Sequence, residues 1–238
     1  MPAETSAGRS AGTGPDAVLW DMDGTLVDSE KLWTVSIAET ARWLGGELSG
    51  SARTAMIGSN MADSTDILFD DLGLPRDPER QAAAAAWMTE RTAELFAAGP
   101  EWRPGAQAAL RAVTEAGWPT ALVTNTERAL TEVALETIGR GHFTVTVCGD
   151  EVPHGKPAPD PYRRAAELLG VDPARCLAVE DSPTGALAAE RAGAAVLVVP
   201  CEVEVPDGPA RVQRASLVGL TAEELIVAWT AASSRPAA

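Results

Sequence analysis

Residues 17–29 read AVLWDMDGTLVDS. The apolar run Ala17-Val18-Leu19-Trp20 ends in two carboxylates one residue apart, Asp21 and Asp23. Gly24 and Thr25 follow, and the chain turns polar at Asp28 and Ser29. A short apolar run bounded in this way reads as a buried strand. Unpaired buried charge is costly, so two acids at such a strand's end need a task. Open α/β sheets place their ligands at the carboxyl ends of strands. The stretch therefore predicts that Asp21 and Asp23 hold a metal and carry out phosphoryl chemistry.

Working outward, the pattern turns helical after Ser29. Trp33, Ile37, Ala41 and Leu44 have helical spacing, Asp28 or Ser29 stands at the capping position, and Gly45-Gly46 stops the run. Residues 54–57, 63–72 and 79–96 read as further helices, with no strand among them. Residues 30–99 are thus expected to form a small all-helical cap domain, inserted after strand 1 and lying over its end. From Arg103-Pro104-Gly105 onward the pattern changes. Helices over 106–116, 128–138, 161–169, 183–192 and 221–229 alternate with strands over 120–123, 143–148, 176–179 and 195–199. Gly117 reads as a helix stop, and Thr221 with Glu224 has capping-box spacing. This alternation predicts an α/β fold, with a Rossmann-like parallel sheet covered by helices on both faces. The core domain is expected over 16–29 and 100–238. Residues 1–15, rich in Gly, Ser, Ala and Thr, read as a disordered leader.

Composition narrows the function. The chain of 238 residues is 45% hydrophobic, as in an ordinary soluble globular protein. Its formal charge of −15, from 19 basic and 34 acidic residues, argues against nucleic-acid and anionic-membrane partners. A protein this acidic needs a local positive charge to handle phosphates, either a metal or a placed Lys or Arg. Cys148, Cys176 and Cys201 lack metal-binding spacing and read as reduced thiols in a cytoplasmic protein. No apolar run reaches membrane-spanning length, and the first residues lack the apolar core of a signal peptide.

Four strand ends carry polar groups: Asp21 and Asp23, Thr124 and Asn125, Lys156 in a loop after a strand, and Glu180 with Asp181. Each alone has an ordinary reading. D-x-D can be a turn, Thr124-Asn125 a helix cap, Lys156 a solvated loop charge, and Glu180-Asp181-Ser182 capping residues before Pro183. In a parallel sheet, however, these ends lie on one edge and converge. The segments DMDGTLVDS, VTNT, GKPAPDPY and VEDSPTGA together resemble the haloacid-dehalogenase-like hydrolases. The branch is the one whose helical cap follows the first strand, which includes β-phosphoglucomutases and phosphoglycolate phosphatases. The resemblance spans about residues 18–225.

That resemblance implies roles. Asp21 is the expected nucleophile and a metal ligand. Asp23 is the expected acid/base, its backbone carbonyl also on the metal. Gly24 and Thr124 are expected at the phosphate, with Asn125 supporting the loop at a helix N-terminus. Lys156 would balance charge in the transition state. Asp181, assisted by Glu180, would bind Mg²⁺. A carboxylate at Asp23 points away from dehalogenase chemistry, which has no leaving alcohol to protonate.

The β-phosphoglucomutases carry a His shortly after the first motif and an Arg in the first cap loop. Trp33 and Met61 stand at those positions, which removes groups that would hold a sugar phosphate for a second transfer. Arg53 and Arg91 are the alternative cap cations. Lys31 is the expected cap contact to substrate, whereas Trp33, on the stripe with Ile37 and Ala41, reads as cap core. Segments after Asp28 and near 102–105 are expected hinges.

The sequence thus predicts a Mg²⁺-dependent phosphatase of small phosphorylated metabolites, sugar or related alcohol phosphates, acting as a monomer or weak homodimer. The alternatives are a β-phosphoglucomutase-like mutase and a non-catalytic binding relative.

Overall fold

The structure is a computed structural model describing residues 14–234. Strands β1 (Ala17–Trp20), β2 (Thr120–Val123), β3 (Val145–Val147), β4 (Cys176–Glu180), β5 (Ala195–Val198) and β6 (Arg211–Gln213) form one sheet. Every pairing is parallel, in the spatial order β3-β2-β1-β4-β5-β6. β1 lies in the interior of the sheet, with Trp20 opposite Leu122 on one side and Val179 on the other.

Its four apolar residues suit a strand covered on both faces. Val18 and Trp20 enter one apolar cluster with residues of α5 (Ala106–Glu115), α6 (Arg128–Ile138) and α9 (Ala222–Ser233), among them Leu110, Leu135 and Leu225. Ala17 and Leu19 enter the other, with Tyr162 and Ala165 of α7 (Asp160–Leu169) and Ala186 and Ala189 of α8 (Pro183–Ala192). The split follows the period-two alternation of a strand.

Four helices intervene between β1 and α5: α1 (Glu30–Trp43), α2 (Gly50–Ala55), α3 (Met61–Asp71) and α4 (Pro78–Phe96). They share an apolar cluster of their own, built on Ile37, Ala41, Leu68, Phe69, Ala84 and Met88. The chain leaves for the insert and returns from it through two adjacent segments. Val27 bridges Trp102 in antiparallel fashion, Asp28 N–H donates to Glu101 O at 2.7 Å, and Arg103 N–H donates to Leu26 O at 2.8 Å.

Several elements differ from the sequence expectation. α2 starts at Gly50, earlier than the helix read over 54–57, because the Ser49 hydroxyl accepts the Ala52 N–H at 3.2 Å and caps it. β3 is shorter than 143–148, since Phe143 closes a 3₁₀ turn over Arg140–His142. β6 was not anticipated. It is three residues long, polar at Arg211 and Gln213, and paired only with β5. Gly14 and Pro15, placed in the leader, are buried, and the rest of that leader lies outside the described residues. The Thr221–Glu224 capping box forms with both its bonds. The three cysteines are free; Cys148 and Cys176 are buried and Cys201 half-buried. Among the described residues no helix is long and apolar enough to cross a membrane.

Candidate active site

The parallel sheet brings the four polar strand ends to one edge. Asp21 follows β1, Thr124 and Asn125 follow β2, Lys156 lies in the loop after β3, and Glu180 ends β4 with Asp181 next. The Lys156 ammonium joins them, donating to Asp21 Oδ1 at 2.6 Å and to Glu180 Oε1 at 2.7 Å. Tyr162, on α7 beneath, donates its hydroxyl to the same Glu180 oxygen at 2.6 Å. All of these groups are buried except Asn125, which is half-buried.

The electrostatics follow from that burial. Asp21 is pushed up to about 7, first by burial and then by the Glu180 charge, against the pull of Lys156. Asp181 is raised by burial and by Asp21 and Glu180. For Lys156, burial alone would lower the pKa, but Asp21 and Glu180 outweigh it and keep the ammonium charged.

One oxygen from each of Asp21, Glu180 and Asp181 lies within 4.8 Å of the others. Three carboxylates meet here with one ammonium, which pairs with Asp21 and Glu180, and Asp21 Oδ2 is buried with no hydrogen-bond partner. An all-oxygen donor set with excess negative charge and an orphaned oxygen fits a hard divalent cation such as Mg²⁺. Glu180 is already engaged by Lys156 and Tyr162, so Asp21 and Asp181 carry the more available oxygens.

Asp23 is held apart from this cluster. Its carboxylate accepts from Ser29 Oγ at 2.6 Å, Thr126 Oγ1 at 2.8 Å, Trp33 Nε1 at 3.0 Å and Thr124 Oγ1 at 3.3 Å. Its side chain is therefore not among the carboxylates grouped closely enough to share a cation. Ser29 occupies the N-cap position of α1 without capping it, its hydroxyl being given to Asp23.

The remaining expected residues divide. Thr124, Asn125 and Lys156 line a cleft between the sheet edge and the insert. Asn125 works as a brace: its Oδ1 accepts the Lys156 N–H at 2.7 Å, and its Nδ2 donates to Gly58 O in the insert at 3.1 Å. Gly24 is not a lining residue. It sits at φ +79°, and a Cβ there would stand 2.2 Å from Asp181 Oδ2, so it makes room for that carboxylate. Lys31 is likewise outside the cleft, its exposed ammonium paired with Asp28 at 2.5 Å. Arg91 is also elsewhere, bound to Glu39 and Glu94, whereas Arg53 does line the cleft.

Trp33, read as cap core, packs edge-on against Phe96 and also reaches Asp23. Sequence reasoning passed over Thr126, Ser29 and Tyr162. The one signal for Tyr162 was its place as the sole tyrosine, carrying a polar tip within an otherwise apolar helix face.

A parallel sheet whose β1 end delivers an Asp-x-Asp pair, with a lysine and further acids from later strand ends, defines a phosphoryl-handling hydrolase architecture. The family profile for haloacid dehalogenase-like hydrolases matches residues 15–193, and the chain belongs to that family. Hexitol phosphatase B of Escherichia coli K12 is 30% identical over 228 residues, covering 88% of this chain and 96% of that protein. A plasmid-encoded phosphoglycolate phosphatase of Cupriavidus necator is 33% identical over 234 residues, covering 93% and 96%. Among solved structures, a CbbY variant from Rhodobacter sphaeroides in complex with xylulose 1,5-bisphosphate superposes with a TM-score of 0.78. It is 28% identical, covering 89% of this chain and 99% of that one.

Proposed function

We propose that this protein is a Mg²⁺-dependent phosphoric monoester hydrolase of small phosphorylated metabolites, sugar or related alcohol phosphates, working through an aspartyl-phosphate on Asp21. The observation that carries the reading is the Lys156 ammonium, 2.6 Å from Asp21 and 2.7 Å from Glu180, beside a surplus of buried carboxylate. A site for neutral ligands has no use for that charge arrangement. The names of the hexitol and phosphoglycolate phosphatase relatives support the same reaction class.

In this reading the Asp21 carboxylate attacks phosphorus while the ester oxygen departs, taking a proton from Asp23. Asp23, now a carboxylate, accepts a proton from water as the water oxygen attacks the aspartyl-phosphate, releasing inorganic phosphate and restoring Asp21. The donors around Asp23 hold it at the leaving-group side of the cleft. Lys156 and the Thr124 hydroxyl face the transferring phosphoryl group. Asp21 and Asp181, with Glu180 beside them, would hold Mg²⁺, which would supply the neutralisation that lets an anionic nucleophile meet an anionic phosphate. Residues 30–99 act as a cap that closes the cleft and excludes water.

The test is phosphate release from an aryl phosphate and from a panel of metabolite phosphates, with and without Mg²⁺. Mg²⁺-dependent release that disappears in Asp21→Asn is the expected result. Isomer conversion without free phosphate would establish the mutase reading instead, and no turnover of any ester would leave a binding role.

A further inference from the structure

The two cations that line the cleft are placed differently. Lys156 sits among the reacting carboxylates, whereas Arg53 stands on α2, on the insert side. Arg53 is engaged through two of its three guanidinium nitrogens. Its Nη2 is 2.6 Å from Glu30 Oε2 and donates to the Glu30 carbonyl at 3.0 Å, and its Nε donates to Thr34 Oγ1 at 2.7 Å. Glu202 Oε2, from the segment after β5, approaches the same Nη2 at 3.7 Å. The Arg53 and Glu30 side chains are only 12% and 6% exposed, so water screens this pair little and the geometry is fixed.

Around the pair the cleft wall is largely apolar, with Trp33, Ile37, Met56, Met61 and Met88. Of the residues lining the cleft, none on the insert side supplies an unpaired cation. A second anionic group on a substrate would lose its hydration here, find the one cation already neutralised by Glu30, and meet the Glu30 carboxylate itself.

We infer that the Glu30–Arg53 pair is a specificity element: it admits phosphate esters whose remaining part is uncharged, and it rejects phosphocarboxylates and bisphosphates. This rests on the phosphatase reading above and narrows its substrate class to neutral alcohol and sugar-alcohol monophosphates. Sequence similarity does not decide the matter, because the hexitol and phosphoglycolate phosphatases match at 30% and 33%.

The test uses a matched pair, glycerol 3-phosphate and 3-phosphoglycerate, which differ by a hydroxymethyl against a carboxylate. The full chain with Mg²⁺ is expected to favour glycerol 3-phosphate in kcat/KM by about tenfold or more, since like charges across a contact are strongly disfavoured. Glu30→Gln frees Arg53 and should move the ratio of the two kcat/KM values about tenfold toward 3-phosphoglycerate. The double variant Glu30→Gln/Arg53→Met should show no such gain. The ratio is measured within one preparation, so partial unfolding cancels from it. Equal handling of both esters by the wild-type chain overturns the inference even if neither variant folds, as does an unchanged ratio in Glu30→Gln. p-Nitrophenyl phosphate separates the two levels. Its turnover without a preference between the matched esters sinks only the specificity element, and no turnover of any ester sinks the phosphatase reading as well.

Discussion

The Trp33 indole N–H donates to Asp23 Oδ1 across 3.0 Å, from the first helix of the insert to the strand end that precedes it. The other oxygen of the same carboxylate accepts from Thr126, which follows β2. Asp23 is thus gripped by the inserted helices and by the sheet edge at once. A shift of the insert relative to the sheet would change the donors of the group proposed to move the proton.

Trp33→Phe removes the indole donor while keeping an aromatic ring against Phe96. A hydrogen bond to a charged group is worth about 1.5–3 kcal/mol, so kcat for an alkyl phosphate should fall by about tenfold or more. Hydrolysis of p-nitrophenyl phosphate, whose leaving group needs little protonation, should fall much less. Equal losses on the two esters would show that Trp33 does not act through Asp23.

The contrast between Trp33 and Lys31 shows what was legible in the sequence. The four strand-end motifs could be read because each is local, and a parallel sheet places such ends on one edge whatever the details of packing. Helix faces needed the actual register. Glu30 and Lys31 are neighbours, yet a helical residue turns about 100° from the last, so Glu30 is buried at the cleft and Lys31 points to solvent. Trp33 fitted an apolar stripe because its ring is apolar, while its polar edge belongs to Asp23. Thr126 and Tyr162 gain meaning only from carboxylates 103 and 18 positions away. β6 is an edge strand held by one neighbour, with no alternation to announce it.

Gly24→Ala should damage the proposed Mg²⁺ site selectively. A residue with a side chain pays roughly 1–2 kcal/mol to adopt the left-handed backbone at φ +79°, and the new Cβ would collide with Asp181. Mg²⁺ affinity, measured by calorimetry, should weaken about tenfold or more, as for residues that support metal ligands. Unchanged Mg²⁺ affinity in a folded variant would remove Asp181 from the ligand set.

Lys156→Met leaves Asp21, Glu180 and Asp181 buried with no ammonium among them. Breaking a buried ion pair from one side costs about 3–5 kcal/mol. The loss of melting temperature should be larger in chelator than in saturating Mg²⁺, because a cation can replace part of the missing charge. Activity should fall by about 10²-fold or more even with Mg²⁺. An equal loss of melting temperature with and without Mg²⁺ would mean that the ion does not share these carboxylates.

Metal binding should compete with protons. In the ion-free protein, burial and then the Glu180 charge hold Asp21 near a pKa of about 7. A bound cation favours the carboxylate and lowers that value, so binding must release a proton wherever Asp21 is protonated beforehand. Apparent Mg²⁺ affinity therefore rises with pH through about 7 as Asp21 ionises, and Asp181, raised by burial and by Asp21 and Glu180, adds to the same rise. Isothermal titration at several pH values, each in two buffers of different ionisation enthalpy, reads both the affinity and the protons released. At least one proton per ion is expected where Asp21 is protonated beforehand, and the number falls as rising pH ionises the carboxyls. An affinity that is flat from acidic to alkaline pH would place the bound ion away from Asp21 and would separate the nucleophile from the metal site.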